Sequence, residues 1–187
     1  GARASARTIT VLSGGPGEGK STTTFNLGWV CAQSGMKVLV IDGDIRRPNM
    51  HNALQIENTL GLGEYLAGQA SLDELIQSTA IPNLEILTAG SLGPEELGGF
   101  SRSRLATLME ACRPNYDVIL VDSPPVLGIS DASVISQEVD VSLLLIQHRR
   151  YPRNVSQRAK RVIEDVGGKL FGVILNNVNI KTDDNYY

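Results

Sequence analysis

The sequence predicts a three-layer α/β/α domain built on a mostly parallel central sheet. Three observations predict it. Short apolar, β-branched runs alternate with longer segments of helical period along the whole chain, which is the signature of repeated strand–helix–strand units. The first run, Thr8 to Leu12, leads through a glycine-rich loop into an amphipathic helix and then a second run, and such a crossover connection favours parallel pairing. The 187 residues are 42% apolar, enough for one sizeable core and no more. No internal repeat or domain linker interrupts them, so residues 1–187 read as a single domain.

The elements follow in order. Residues 1–7 are small and basic and read as a linker or tail. After the first strand, Ser21 opens a helix that carries Phe25, Leu27, Gly28, Val30 and Cys31. It ends near Ser34-Gly35, a helix-stop signal. Lys37 to Ile41 is a second buried strand, and Asp42-Gly43-Asp44-Ile45-Arg46-Arg47-Pro48 follows it. Residues 49–80 are less regular: a short helix through Leu66, then Ser71-Leu72-Asp73-Glu74, a capping box that predicts a helix through about Gln77. Leu84 to Thr88 is a third strand. Ala89 to Gly99 is loop, and a helix runs from about Ser101 to Cys112, ended by Pro114. Val118 to Val121 is a buried strand ending at Asp122. Asp131 to Gln137 is helical, Val141 to Gln147 is a strand, and Arg153 to Val166 is a basic amphipathic helix with a solvent face. Phe171 to Leu175 is the last core strand, with Asn176 and Asn177 behind it. Residues 181–187 form a polar tail ending in Tyr186 and Tyr187.

The loop after the first strand carries the chemistry. Gly14, Gly19, Lys20 and Ser21 fit G-x-x-x-x-G-K-[ST], between the strand and the helix that this motif requires. Glycines there let the backbone curl so that its N–H groups converge on an anion, and the helix start adds positive potential. Gly15, Pro16, Gly17, Glu18, Gly19, Lys20, Ser21 and Thr22 are therefore the candidate nucleotide-binding residues of a P-loop NTPase. Lys20 reaches terminal phosphates as a point charge, and the Ser21 hydroxyl suits Mg²⁺, which prefers oxygen. Glu18 puts a negative charge into the loop; its side chain is expected to face outward.

Ligands of parallel sheets bind beyond the carboxyl ends of the strands. Asp42 and Asp44 lie past one such end, Asp122 at another, and the phosphate loop past a third. Asp122 suits the metal-organising acid of a triphosphate site. Asp42 and Asp44 would repel each other without a cation nearby. With one, an acid can orient an attacking hydroxyl and take its proton late, as the loose transition state of phosphoryl transfer allows. The plainer alternative is a solvated turn with its charges paired locally.

Here the residues resemble a known family. VLSGGPGEGKST, VLVIDGDIRRP and YDVILVDSPP resemble the Walker A, Walker A′ and Walker B motifs of bacterial tyrosine kinases, over about Thr8 to Tyr187. The resemblance implies ATP- and Mg²⁺-dependent autophosphorylation of a C-terminal tyrosine cluster, of which Tyr186 and Tyr187 match the start. It implies that Lys20 and Ser21 hold phosphate and metal, with Thr22 near the α-phosphate. Asp42 matches the proposed base, and Asp44 and Asp122 match the acids that organise Mg²⁺. Asn176 or Asn177 matches the position that contacts adenine. The implied setting is capsule or exopolysaccharide export at the cytoplasmic face of the bacterial inner membrane. The implied partners are a polysaccharide co-polymerase membrane protein or the protein's own transmembrane region, neighbouring kinase subunits in a ring, and a protein-tyrosine phosphatase. Two departures stand out. No Glu-x-x-Arg-x-x-Arg helix precedes the first strand, and the tyrosine cluster is short.

Other readings are weighed against this one. A MinD/ParA-like ATPase switch carries a signature lysine five residues before the P-loop lysine; that position is Gly15 here. A regulator that binds ATP and scarcely turns it over would not need acids at 42, 44 and 122. A net charge of −3 gives no basic footprint for a nucleic-acid partner. No apolar run approaches the length of a membrane span, and a start at Gly1 reads as a domain excised from a longer chain. Cys31 and Cys112 fit no metal spacing and read as reduced thiols. His51 and His148 read as structural or exposed, and Arg102 and Arg104 as solvated helix surface.

Overall fold

The computed structural model describes residues 7–93, 95, 96 and 100–178. Residues 1–6 and the tyrosine-bearing tail 181–187 lie outside the described residues. A seven-stranded sheet runs in the order β3-β4-β2-β5-β1-β6-β7. Its strands are β1 (Thr8–Ser13), β2 (Val38–Asp42), β3 (Ile76–Ser78), β4 (Leu84–Leu87), β5 (Val118–Asp122), β6 (Val141–Gln147) and β7 (Leu170–Asn176). Every pair is parallel except β3–β4. Helices α1 (Lys20–Gln33), α2 (Met50–Leu54), α3 (Leu62–Ala67), α4 (Arg102–Cys112), α5 (Ser130–Glu138) and α6 (Arg153–Asp165) complete the fold, giving the expected α/β/α layers.

The central strands are buried on both faces because helices cover both. Val38, Val40, Leu84, Ile86 and Leu120 meet Ala32 of α1 on one side. Gly28 lets α1 close on the sheet there: a Cβ at that position would stand 2.9 Å from a Val40 methyl. On the other side Leu39, Ile41, Ile119 and Val121 meet Leu105, Leu108 and Met109 of α4 and Ile135 of α5. Leu12 and Leu144 pack with Ala159 and Ile163 of α6.

The sheet is stapled at the pole where β1 begins. The Asp140 carboxylate accepts from the backbone N–H groups of Arg7 and Thr8 at 3.0 and 2.8 Å and from both ends of the Arg113 guanidinium at 2.8 Å. These bonds hold its pKa well below the usual carboxylate range, the Arg113 bond contributing most.

Three expectations need correction. The capping box at Ser71–Glu74 forms, with Glu74 accepting from the Ser71 N–H and hydroxyl, but it opens only a single 3₁₀ turn, Leu72–Glu74. The chain then extends as β3, because Ile76–Ser78 can pair antiparallel with the otherwise open edge of β4. The segment after Asn49 contains α2, which periodicity does not announce. Asp42 starts it from a distance, accepting from the N–H groups of Asn49 and Met50, two donors a helix start leaves unanswered. Finally, β7 is an edge strand, not a core strand: Phe171, Val173 and Leu175 are 78%, 58% and 55% exposed.

Candidate active site

The carboxyl ends of β1, β2 and β5 open onto one cleft of about 670 Å³, lined by Pro16, Gly17, Gly19, Lys20, Ser21 and Thr22 on the phosphate-loop side. Asp44, Arg46, Arg47, Asn49, Pro125, Leu127 and Ile129 line the rest. Parallel registry brings the acids together: Asp42 stands directly beside Asp122 across the β2–β5 pair, and Val11 of β1 is beside Asp122 on the other side.

The loop is shaped by backbone that only glycine adopts without strain. Gly17 and Gly19 have φ of 73° and 102°, and Gly19 passes so close to Asn176 that a Cβ would meet its amide at 2.5 Å. Lys20 is buried at the first turn of α1. Burial lowers its pKa, and Asp122, Asp44 and Glu18 oppose that shift by favouring the cation.

Ser21 donates to Asp122 Oδ2 at 2.5 Å. Asp122 Oδ1 is buried with no hydrogen-bond partner among the described residues. Burial pushes the Asp122 pKa up to about 7, with the Ser21 bond and Lys20 pulling it down and the neighbouring Asp42 charge pushing it further up. A buried, unanswered carboxylate oxygen beside a serine hydroxyl, with Asp44 on the cleft wall, is a donor set of hard oxygens. It fits a Mg²⁺–phosphate site.

Asp42 is almost fully buried and lies behind the cleft lining rather than in it. Burial pushes its pKa up to about 6, while the N–H groups of Met50, Asp44 and Asn49 oppose the shift. Asp44 is partly exposed, and its Oδ1 accepts from the Arg47 N–H at 3.1 Å. The turn's charges are not paired only locally. Arg46 reaches across to Asp131 at the start of α5, Nε to Oδ2 at 2.9 Å.

Glu18 does not face outward. Its carboxylate is buried and accepts from the Gly15 N–H at 2.9 Å and the Gln147 N–H at 3.0 Å. It therefore ties the phosphate loop to the end of β6. The turn after β6 adds to this brace: the Tyr151 hydroxyl donates to the Pro16 carbonyl at 2.9 Å, and Arg150 Nε donates to the same carbonyl at 3.3 Å. The Tyr151 ring covers Gly15, where a Cβ would meet it at 2.6 Å. Asn176 ends β7 and donates to the Glu18 carbonyl at 2.9 Å. Sequence reasoning missed Asp131, Gln147, Arg150 and Tyr151. The available signal was position: Tyr151 follows a strand end at the same pole as the phosphate loop.

Arg102 and Arg104 lie on the exposed surface of α4, as expected. Arg102 pairs with Glu138 at 2.5 Å, and Arg104 lies 5.9 Å from the Tyr65 ring centroid. Cys31 and Cys112 are free thiols.

Comparison with known proteins bears on this geometry. A family model described as an AAA domain matches residues 6–167. Tyrosine-protein kinase YwqD of Bacillus subtilis (strain 168) is 35% identical over 181 residues, covering 96% of this chain and 76% of that protein. The chain belongs to the bacterial tyrosine-protein kinases. The kinase domain of Escherichia coli tyrosine kinase ETK superposes with a TM-score of 0.89 at 33% identity, over 94% of this chain and 69% of that one. The septum site-determining protein MinD of Pyrococcus horikoshii OT3, solved with Mg-ADP, gives 0.79 at 28% identity, over 90% and 69%. The kinase thus shares its fold with P-loop nucleotide-binding proteins, and MinD is the more distant relation. No helix among its described residues is long and apolar enough to cross a membrane.

Proposed function

We propose that the kinase transfers the terminal phosphoryl group of ATP to tyrosine hydroxyls of C-terminal tails, Tyr186 and Tyr187 first among them. The observation that carries this is the registry of Asp42 against Asp122, which brings two acids to adjacent strand ends, with Asp44 on the wall of the cleft that Lys20 and Ser21 also line.

The phosphate loop binds the β- and γ-phosphates through its backbone donors and Lys20, with Thr22 beside the α-phosphate. Gly15 serves through its place in the loop, and its own N–H is taken by Glu18. Glu18 acts from behind by holding the loop's shape. Ser21, Asp122 and Asp44 would hold Mg²⁺, which neutralises phosphate charge when bound. As the acceptor oxygen bonds to the γ-phosphorus, the bond to the β–γ bridging oxygen breaks and ADP leaves. The resemblance supports Asp42 as the late acceptor of the phenolic proton, since a phenol near pKa 10 does not ionise in advance; this role requires its carboxylate, held behind the cleft lining, to be opened to the acceptor. The resemblance supports Asn176, at the end of β7, as the adenine contact. The resemblance supports a role in capsule or exopolysaccharide synthesis at the cytoplasmic face of the inner membrane. It also supports a co-polymerase membrane protein or the kinase's own transmembrane region, neighbouring kinase subunits and a tyrosine phosphatase as partners.

The test is incubation with Mg²⁺-ATP and mapping of phosphotyrosine by mass spectrometry. Phosphate on Tyr186 or Tyr187 that disappears in Lys20→Met is the expected result. ATP consumption without any phosphotyrosine would move the chain to the switch ATPases.

A further inference from the structure

The wall of the cleft facing the phosphate loop carries groups to which the proposed function assigns no role. Arg46 and Arg47 both line it. One edge of the Arg46 guanidinium is locked by Asp131, Nε to Oδ2 at 2.9 Å and Nη2 to Oδ1 at 3.5 Å. The Asp131 side chain is 4% exposed and that of Arg46 is 40% exposed, so a buried anchor holds a half-open cation. An arginine has five donors, and this grip engages two of its nitrogens. Arg47 is exposed and its guanidinium has no partner among the described residues. Its backbone is fixed by Asp44, which sets where its side chain leaves the turn. Beside the two arginines, Pro125, Leu127 and Ile129 give an apolar shelf on which an aromatic ring can lie.

The tail reads Lys181-Thr182-Asp183-Asp184-Asn185-Tyr186-Tyr187. Two acids, Asp183 and Asp184, precede the two tyrosines, with Asn185 between. We propose that Arg46 and Arg47 form an acceptor-reading subsite for acidic residues N-terminal to the target tyrosine, and that its occupant is the Asp183–Tyr187 segment of the tail. Asp131 is the positioning residue that presents Arg46. This rests on the reading of the tail as acceptor.

Charge favours that occupant. Carboxylates match the guanidinium fork in geometry as well as sign.

The experiment uses a fluorescent peptide of residues 181–187 and a version with Asp183→Asn and Asp184→Asn. Each is offered to the kinase and to Arg47→Gln, an exposed substitution that does not threaten folding. Binding is read by anisotropy with a non-hydrolysable ATP analogue present, phosphorylation by kcat/KM, and ATP affinity separately. Removing the acids is expected to weaken peptide binding to the wild-type kinase about tenfold, the size of one charge-assisted hydrogen bond. It should cost less than twofold in Arg47→Gln, with ATP affinity the same in both proteins. Asp131→Asn should raise the peptide KM without changing ATP affinity. An equal cost of acid removal in both proteins overturns the subsite, as does a loss of ATP affinity matching the loss of peptide. Selective binding without phosphorylation of either peptide would sink the acceptor reading and leave the subsite standing. Equal binding and phosphorylation of both would do the reverse, and no binding at all refutes the subsite outright.

Discussion

Glu18 offers the sharpest single perturbation, because an acid inside a phosphate loop has only two sensible places to point. In the structure both carboxylate oxygens are committed, one to the Gly15 N–H and one to the Gln147 N–H, in a buried site. Glu18→Gln keeps the size but offers one acceptor and one amide donor. One of the two backbone donors then faces another donor, at a cost of about 1–3 kcal/mol for a buried group left unanswered. Glu18→Ala leaves both unanswered, and the loss should be roughly double. Urea unfolding gives the stability change, and competition against a fluorescent nucleotide gives ATP affinity. Both should fall together, ATP affinity by several-fold, because the released Gly15 amide lets the loop relax. If Glu18→Gln unfolds at the wild-type midpoint with wild-type affinity, the bracing argument is refuted. If affinity falls and stability does not, the carboxylate belongs with the nucleotide and the assignment of its role is wrong.

Three further outcomes are expected. Asp42→Asn should slow phosphotransfer far more than it weakens ATP binding, measured as kcat against nucleotide Kd; equal losses would contradict its role as proton acceptor. Asp140→Asn should be less stable than wild type at pH 7, with the gap closing in acid. The folded pKa of Asp140 is depressed, so its contribution is present above the ordinary carboxylate range near 4 and is lost as pH falls through the folded value. Denaturant unfolding at pH 7 and pH 3 checks this, and a gap independent of pH would exclude the ion pair as its source. Gly28→Ala gains helix propensity but drives a methyl to 2.9 Å from Val40 and 3.2 Å from Leu84, for a net loss of roughly 1 kcal/mol; a raised denaturation midpoint would show that α1 can shift freely.

Much of this protein is legible without coordinates. The phosphate loop, Asp42, Asp44 and Asp122 are local in sequence and announce themselves by spacing and by the apolar strands they terminate. Parallel registry then does the assembly, which is why Asp122 comes to the Ser21 hydroxyl from a hundred residues away. What stayed hidden is what needs partners far off in the chain. Glu18 looks solvent-facing until Gln147 is placed beside it. Arg46 looks like part of a basic turn until Asp131 arrives from α5. The capping box at Ser71 is real, yet the turn it opens yields to the pull of an unpaired β4 edge. The exposed apolar alternation of β7 reads like any core strand, since only sheet order reveals an edge.

The staple at Asp140 gives the molecule a heading. By gripping the amides of Arg7 and Thr8 it fixes where the chain enters β1, at the end of the strands opposite Lys20. A pull applied at Arg7 is therefore borne by the base of the sheet, away from the nucleotide mouth.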